Sequence, residues 1–200
     1  MNIGLDPTKF SQLESRDAYM EFYEDQGTKY GNDHLDDNFP RTRFILDRLR
    51  QNDRVLEFGC QTGGITRSIA KSPLVKELHA VEVSRTYLER AKVILQGLPV
   101  ALHYGFAEDF FQLPKFDVVI AMEIIEHVKD PDVLLEAVKR NLMSTGAALL
   151  SVPKEDYVDT INEHVREFTK DSFRELLEKH FTRIIITEPE GEWYLAEVRY

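Results

Sequence analysis

The 200-residue chain lacks features that several classes of protein require. It holds a single cysteine, Cys60, so no intramolecular disulfide can form, which favours a reducing compartment such as the cytoplasm. No basic leader followed by an apolar run opens the sequence, and no apolar stretch is long enough to span a bilayer. The sequence also shows no internal repeat and no low-complexity linker. We therefore expect a soluble, cytoplasmic protein without a membrane segment.

A surplus of positive charge is lacking too. Lys and Arg together number 25 against 35 Asp and Glu, which gives a formal net charge of −10. Proteins that bind nucleic acid usually neutralise phosphate groups with Lys and Arg, so nucleic acid is an unfavoured partner. A small-molecule substrate is favoured instead. The sequence leaves open whether copies of the chain form a homo-oligomer.

Apolar strand-like runs alternate with helical patterns from Pro40 onward. Nearly continuous apolar runs, such as residues 116–121 and 147–152, are typical of parallel strands that helices cover on both faces. Ser84, Asp130 and Thr169 are predicted to begin helices, and Gly146 is predicted to end one. The last two apolar runs, residues 184–186 and 193–196, are too close for an intervening helix. They are predicted to form an antiparallel hairpin at the sheet edge.

A glycine-rich loop, EFGCQTGG at residues 57–64, lies between the first predicted strand and a helix, and Glu82 ends the second strand. Doubly wound sheets bind ligands across the carboxyl ends of their strands, where an acid in this position can bind ribose hydroxyls. Glu57 would repel the pyrophosphate of a nicotinamide dinucleotide, and the glycine spacing does not fit the dinucleotide fingerprint. S-adenosylmethionine has an ammonium, a sulfonium and no phosphate, so the pattern favours it as the cofactor.

Two motifs resemble signatures of the class I S-adenosylmethionine-dependent methyltransferases. Residues 55–63, VLEFGCQTG, resemble the first signature motif, and residues 116–128, FDVVIAMEIIEHV, resemble the fourth-strand motif. With the position of Glu82 and the terminal hairpin, the resemblance covers roughly residues 40–200. The predicted fold is α/β, a doubly wound Rossmann-like sheet of seven strands in the order 3-2-1-4-5-7-6, with strand 7 antiparallel and helices on both faces. Residues 39–200 would form this domain, and residues 1–38 a helical arm over the active site.

The resemblance implies roles for individual residues in binding the cofactor. Gly59 and Gly63 would pass its methionine part, and Glu82 would hold the ribose. Val83 would touch adenine, and Ala121 would lie near the sulfonium. In the same loop, Glu57 would be an electrostatic partner of the cationic cofactor, and Cys60 would be a small residue in crowded surroundings.

The chain departs from the family pattern at two places. Gln61 stands where the family usually has glycine, so the loop is expected to approach the cofactor differently. Phe106 stands where the family often has aspartate, ahead of Ala107 and Glu108. Adenine recognition would then fall to Glu108 or to backbone amides of this loop, Ala107 included.

A cluster of acids and histidines follows the fourth strand. Glu123, Glu126 and His127 would share one face of a helical turn, and His164 returns to the same sheet edge after the fifth strand. His127, Glu123 and His164 are the candidate catalytic residues, because an imidazole with carboxylate partners can relay a proton. The four residues Glu123, Glu126, His127 and His164 also resemble the metal site of the small-RNA 3′-terminal 2′-O-methyltransferases. The first three resemble a motif of the ubiquinone-pathway O-methyltransferases. A divalent cation such as Mg²⁺, Mn²⁺ or Co²⁺ is one alternative, and a packed polar network is another.

The sequence as a whole predicts a methyltransferase that modifies an oxygen of a small hydroxylated metabolite. A metal-dependent RNA 2′-O-methyltransferase is one rival, and the negative charge argues against it. A partner subunit that binds the cofactor without catalysis is the other rival, and Gln61 favours it weakly.

Overall fold

The computed structural model of the protein describes residues 15–29, 36–154 and 164–200, with the backbone alone for residues 26–29. Seven strands form one sheet in the order β3-β2-β1-β4-β5-β7-β6, which confirms the predicted topology. The first five strands along the chain pair in parallel, and β7 runs antiparallel to both β5 and β6. Their bounds are β1 Asp53–Phe58, β2 Val75–Glu82, β3 Ala101–Tyr104, β4 Phe116–Met122, β5 Leu142–Pro153, β6 Arg183–Thr187 and β7 Trp193–Arg199.

Helices precede, connect and cover the strands. They are α1 Arg16–Lys29, α2 Pro40–Leu46, α3 Gly64–Ala70, α4 Arg85–Ile94, α5 Pro131–Asn141 and α6 Lys170–Glu178, with a short 3-10 helix at Ala107–Asp109. All three predicted helix starts are confirmed. The side chains of Ser84, Asp130 and Thr169 accept backbone N–H bonds at the first turns of α4, α5 and α6. Such caps satisfy amides that the helix itself leaves without partners.

The prediction that Gly146 ends a helix is wrong. Helix α5 ends at Asn141 and β5 begins at once with Leu142, so Gly146 lies inside the strand. A Cβ atom there would stand 2.7 Å from the carbonyl oxygen of Asp117 and 2.7 Å from Leu142 Cδ1. The glycine is therefore required by the close approach of β4, which a reading of helix-stop signals along the chain does not reveal.

Apolar clusters lie on both faces of the sheet. One joins β1, β4 and β5 to α5 and α6, and its fully buried members include Phe58, Phe116 and Phe173. The other joins the opposite face to α2 and α3 through Phe44, Ile45 and Ile69. Because the carboxyl ends of five parallel strands meet at one edge, the loops that follow them are brought together there.

In the described part of the chain, no helix combines the length and the apolar character that crossing a membrane would require.

Candidate functional site

The loop after β1 is shaped by backbone conformations that favour glycine. Gly59 and Gly63 have φ values of +67° and +87°, and Gln61 has φ +46°. Gln61 thus takes up a left-handed conformation although it carries a side chain, and its N–H donates to Glu82 Oε2 over 2.8 Å. The loop therefore turns sharply and is tied to the end of β2.

Two carboxylates are buried beside this loop. Glu57 and Glu82 are 3% and 4% exposed. Burial raises the pKa of Glu57 to about 7, opposed by the hydroxyl of Thr66, which donates to Glu57 Oε2 over 2.7 Å. Burial also raises the pKa of Glu82 to about 6, although backbone N–H groups of Ser84 and Gln61 donate to its two oxygens. Burial raises both pKa values because a negative charge is unfavourable where little water can solvate it.

The two buried carboxylates, Glu57 and Glu82, fit the charge of the predicted cofactor. A cationic ligand would relieve the unfavourable burial of two negative groups, whereas a pyrophosphate would add to it. Glu82 Oε1 accepts from the Ser84 N–H and Oε2 from the Gln61 N–H, and a carboxylate oxygen can accept a further bond from a ribose hydroxyl. Burial, together with the charges of Glu82 and Glu57, raises the pKa of the Cys60 thiol, so this side chain is neutral and small rather than reactive.

The segment after β3 borders the same region. Ala107 and Glu108 lie in the short 3-10 helix and are half-buried, and Val83, after β2, is half-buried too. The guanidinium of Arg16, from α1, lies 4.0 Å from the centre of the Phe106 ring and 3.7 Å from Glu108 Oε1. Phe106 is therefore a packing surface for α1, at the position where the family often has aspartate.

Three of the four candidate metal ligands meet after β4. Glu126, His127 and His164 offer ligand atoms that lie within 4.8 Å of one another. Glu126 is fully buried, and the His127 and His164 rings pack edge to face with centres 4.7 Å apart. Ala121, completely buried in β4, lies just before this cluster in the chain.

Glu123 is held elsewhere. Its Oε1 accepts from the Ser151 hydroxyl over 2.6 Å, and its own N–H donates to the same hydroxyl over 3.0 Å. Its Oε2 lies 3.6 Å from Arg41 Nη1. The predicted shared face of positions 123, 126 and 127 requires a regular helical turn, but Glu123 has φ +54°, which is incompatible with one.

Helix α1 covers the site from above the ends of β2 and β4. Tyr19 packs on Tyr23 and on Phe106, with ring centres 4.8 and 5.8 Å apart, and Tyr23 meets the His127 ring edge to face at 6.3 Å. Burial raises the pKa of Tyr19, so its hydroxyl stays protonated. Tyr30, which belongs to the predicted arm, and residues 155–163 lie outside the described residues.

Two residues that sequence reasoning missed join the site through long-range contacts. Glu24 accepts bonds from the N–H groups of Arg85 and Thr86, at 2.5 and 2.9 Å, and so tethers α1 to the start of α4. Arg41 reaches Glu123 from α2. Neither residue belongs to a local motif, so no sequence signal would have identified them.

Known proteins resemble this chain in sequence and in fold. The model of a methyltransferase-domain family matches residues 31–180 of this chain. A mitochondrial ubiquinone biosynthesis O-methyltransferase from Candida albicans is 36% identical over 110 residues, which are 52% of this chain and 33% of that protein. A ubiquinone biosynthesis O-methyltransferase from Xanthomonas oryzae is 32% identical over 104 residues, 49% of this chain and 42% of that protein. These matches thus span well under half the length of either relative.

Solved structures share the fold. A structure described as a DhpI-SAM-HEP complex superposes with a TM-score of 0.72 at 16% identity, covering 91% of this chain and 96% of that one. At this identity the likeness establishes architecture alone.

Proposed function

The chain belongs to the class I S-adenosylmethionine-dependent methyltransferases, and from this premise we propose that it methylates an oxygen of a small hydroxylated metabolite. The observation that carries the proposal is the cluster of Glu126, His127 and His164 after β4. An oxygen nucleophile must lose its proton during transfer, and an imidazole beside a buried carboxylate is suited to accept it. The names of the ubiquinone O-methyltransferase relatives and the net charge of −10 support the same choice.

When bound, S-adenosylmethionine supplies a methyl group on a positively charged sulfur, which is a good leaving group. We assign Glu82 to the ribose hydroxyls, Gly59 and Gly63 to close approach by the methionine part, and Ala121 to the vicinity of the sulfonium. Val83, Ala107 and Glu108 would contact adenine. Glu57 would favour the cofactor's positive charge, while Cys60 would fill the loop without reacting.

We assign His127 the role of general base, with the Glu126 carboxylate beside it. His127 Nε2 lies 3.8 Å from Glu126 Oε1, so the carboxylate would favour the imidazolium that forms when the proton is taken up. His164 packs against His127 and would orient it. Glu123 would act through its contact with Arg41 rather than as a member of the histidine cluster.

A second candidate is a metal-assisted version of the same transfer. Two imidazoles and one carboxylate within 4.8 Å are a ligand set that several divalent cations accept. In that case the cation would lower the pKa of a bound hydroxyl in place of a protein base. Glu123, held by Ser151, would not complete this set in its present orientation.

We further propose that residues 1–38 form an arm separate from the domain of residues 39–200. The arm would cover the bound cofactor and acceptor, because the described part of it carries Tyr19 and Tyr23 over the site. A cytoplasmic location, suggested by the single cysteine, stays a prediction.

The test combines calorimetry with a transfer assay. We expect S-adenosylhomocysteine to bind and to raise the melting temperature, since a ligand of the folded state stabilises it. Glu82→Ala should weaken this binding by about 1.5–3 kcal/mol, the contribution of hydrogen bonds to a charged acceptor.

Methyl transfer would then be measured on catechols, hydroxybenzoates and RNA oligomers. Transfer only to RNA would support the RNA methyltransferase rival. Binding without transfer to any acceptor would support the silent subunit, and absence of binding at millimolar cofactor would contradict the proposal.

A further inference from the structure

Arg41 stands at the acceptor side of the site with its charge almost buried. It lies in the first turn of α2, and its side chain is 11% exposed. The guanidinium carbon is 4.8 Å from the centre of the Trp193 ring and 5.3 Å from that of Phe39. Trp193 pairs with Pro153 at the carboxyl end of β5, and Glu123 follows the carboxyl end of β4. The guanidinium therefore lies at the sheet edge where the acceptor must bind.

The hydrogen-bonding capacity of this guanidinium is poorly used. Its Nε is buried and has no hydrogen-bond partner among the residues that the structure describes. The contact with Glu123 joins Oε2 to Nη1 over 3.6 Å, which is beyond the 2.7–3.2 Å of an N–H···O bond. Glu123 is instead hydrogen-bonded through Oε1 to Ser151. A buried N–H donor of a charged group without an acceptor is unfavourable, so this position favours a ligand that provides one.

The geometry of the guanidinium indicates which ligand. Its Nε and Nη2 atoms form the edge that binds a carboxylate or a phosphate through two parallel hydrogen bonds, and Glu123 approaches Nη1, away from that edge. The rings of Phe39 and Trp193 hold the guanidinium in place by cation–π contact, which uses none of its N–H donors, and the Nε–H is without an acceptor in the described part of the chain.

We propose that Arg41 is a specificity residue that binds an anionic group, a carboxylate or a phosphate, on the methyl acceptor. The inference rests on the proposed function, since it deepens the description of the acceptor from a hydroxylated metabolite to a hydroxylated anion. Arg41 would hold the far end of the acceptor, so that its hydroxyl meets His127 at the carboxyl end of β4.

The chain contains one tryptophan, so its fluorescence reports on this subsite directly. We would titrate benzoate, inorganic phosphate and the neutral isostere benzamide into the protein saturated with S-adenosylhomocysteine, at constant ionic strength. We expect a saturable change in Trp193 fluorescence with at least one of the two anions and none with benzamide. The anion that gives the response identifies the carboxylate or the phosphate as the recognised group.

Three variants accompany the titration. Arg41→Gln should weaken anion binding by at least about tenfold, the loss that one or two charge-assisted hydrogen bonds predict. Arg41→Lys keeps the positive charge but lacks the edge that makes two parallel hydrogen bonds. Its anion affinity should lie between those of the wild type and Arg41→Gln. Arg43→Gln, on the same helix but exposed and paired with Asp47, should bind like the wild type. Melting curves of each variant confirm that it is folded.

Several results would overturn the inference. They are no saturable response to either anion at millimolar concentration, equal binding of benzamide, or unchanged anion binding in folded Arg41→Gln. Calorimetry with S-adenosylhomocysteine on the same samples separates this failure from that of the proposed function. If the cofactor binds and the anions do not, only the proposed role of Arg41 is contradicted. If the cofactor does not bind, the proposed function is contradicted, and the fluorescence titration still tests the anion site in the free protein.

Discussion

At the scale of single residues, the site combines negative charge with burial. Glu57 and Glu82 lie almost fully out of solvent, and burial raises the pKa values of both, to about 7 and about 6. Without a cation nearby, part of the population therefore carries a proton on these groups at neutral pH. A positively charged cofactor would favour their ionised forms, so cofactor binding and proton release are expected to be coupled.

The stability of the cofactor-free protein should therefore depend on the Glu57 side chain. Its pKa is about 7 in the folded protein against 4.5 in the unfolded chain. Both states are protonated below the lower value. As pH rises from there to the folded value, only the unfolded chain loses its proton, so the free energy of unfolding falls. Glu57→Gln should reduce this fall between pH 5 and 8 by at most about 2–3 kcal/mol, at about 1.4 kcal/mol per pKa unit.

Urea unfolding at several pH values measures this effect. Glu175→Gln is the control, because Glu175 is exposed. If Glu57→Gln and the wild type lose stability in parallel as pH rises, the burial of Glu57 does not control its ionisation.

Chelation and substitution experiments distinguish three explanations of the histidine cluster. If Glu126, His127 and His164 bind a cation, a chelator should abolish methyl transfer, and Mg²⁺, Mn²⁺ or Co²⁺ should restore it. His127→Ala and His164→Ala should then both abolish turnover and leave cofactor affinity almost unchanged. If the cluster relays a proton, the chelator should have no effect. His127→Ala should then lower kcat by about 10²–10⁴-fold, and His164→Ala should lower it far less. A purely structural cluster would give lower melting temperatures with normal turnover per folded molecule.

At the scale of secondary-structure elements, α1 is tethered to the cofactor side of the sheet. Glu24 accepts hydrogen bonds from two backbone amides and the Thr86 hydroxyl at the start of α4. It therefore caps α4 from a distant part of the chain. Burial opposes its ionisation, but these bonds lower the pKa of Glu24 overall. At the N-terminal end of α1, Arg16 contacts Phe106 and Asp109.

Removing this tether should loosen α1 from the site. Glu24→Ala should lower stability by about 1 kcal/mol, as the loss of a helix cap does, and weaken S-adenosylhomocysteine binding several-fold. Glu21→Ala is the matched control, since Glu21 is an exposed acid on the same helix. Calorimetry and thermal unfolding measure both quantities, and equal cofactor affinity in the two variants would show that α1 does not depend on Glu24.

At the scale of the whole molecule, the sheet and its two apolar clusters form the core of the described residues, and in these ranges both clusters consist of residues after Phe39. Deleting residues 1–36 should therefore leave a cooperatively unfolding domain. The same deletion should impair cofactor retention or transfer, because Tyr19, Tyr23 and Glu24 are lost from the site. Far-ultraviolet circular dichroism and calorimetry test the two parts separately, and full activity of the truncated chain would show that the arm has no role.

Most of the fold could be predicted from local signals. Apolar runs mark buried strands wherever the sheet is covered on both faces, and polar caps at Ser84, Asp130 and Thr169 mark helix starts, since both patterns reflect interactions within a few residues. Gly146 shows the limit. A glycine that ends a helix and a glycine that admits a neighbouring strand look the same in a sequence.

The sequence by itself determined the alternation of strands and helices, the glycine loop with its two acids, and the acid and histidine types that follow β4. Only the tertiary structure decided which of these groups meet. It brings His164 to Glu126 and His127 but turns Glu123 towards Ser151 and Arg41. It also sets Glu24 against Thr86, 62 residues away. The reason is physical: periodicity and capping depend on neighbours along the chain, whereas these contacts depend on how strands and loops far apart in sequence pack together in space.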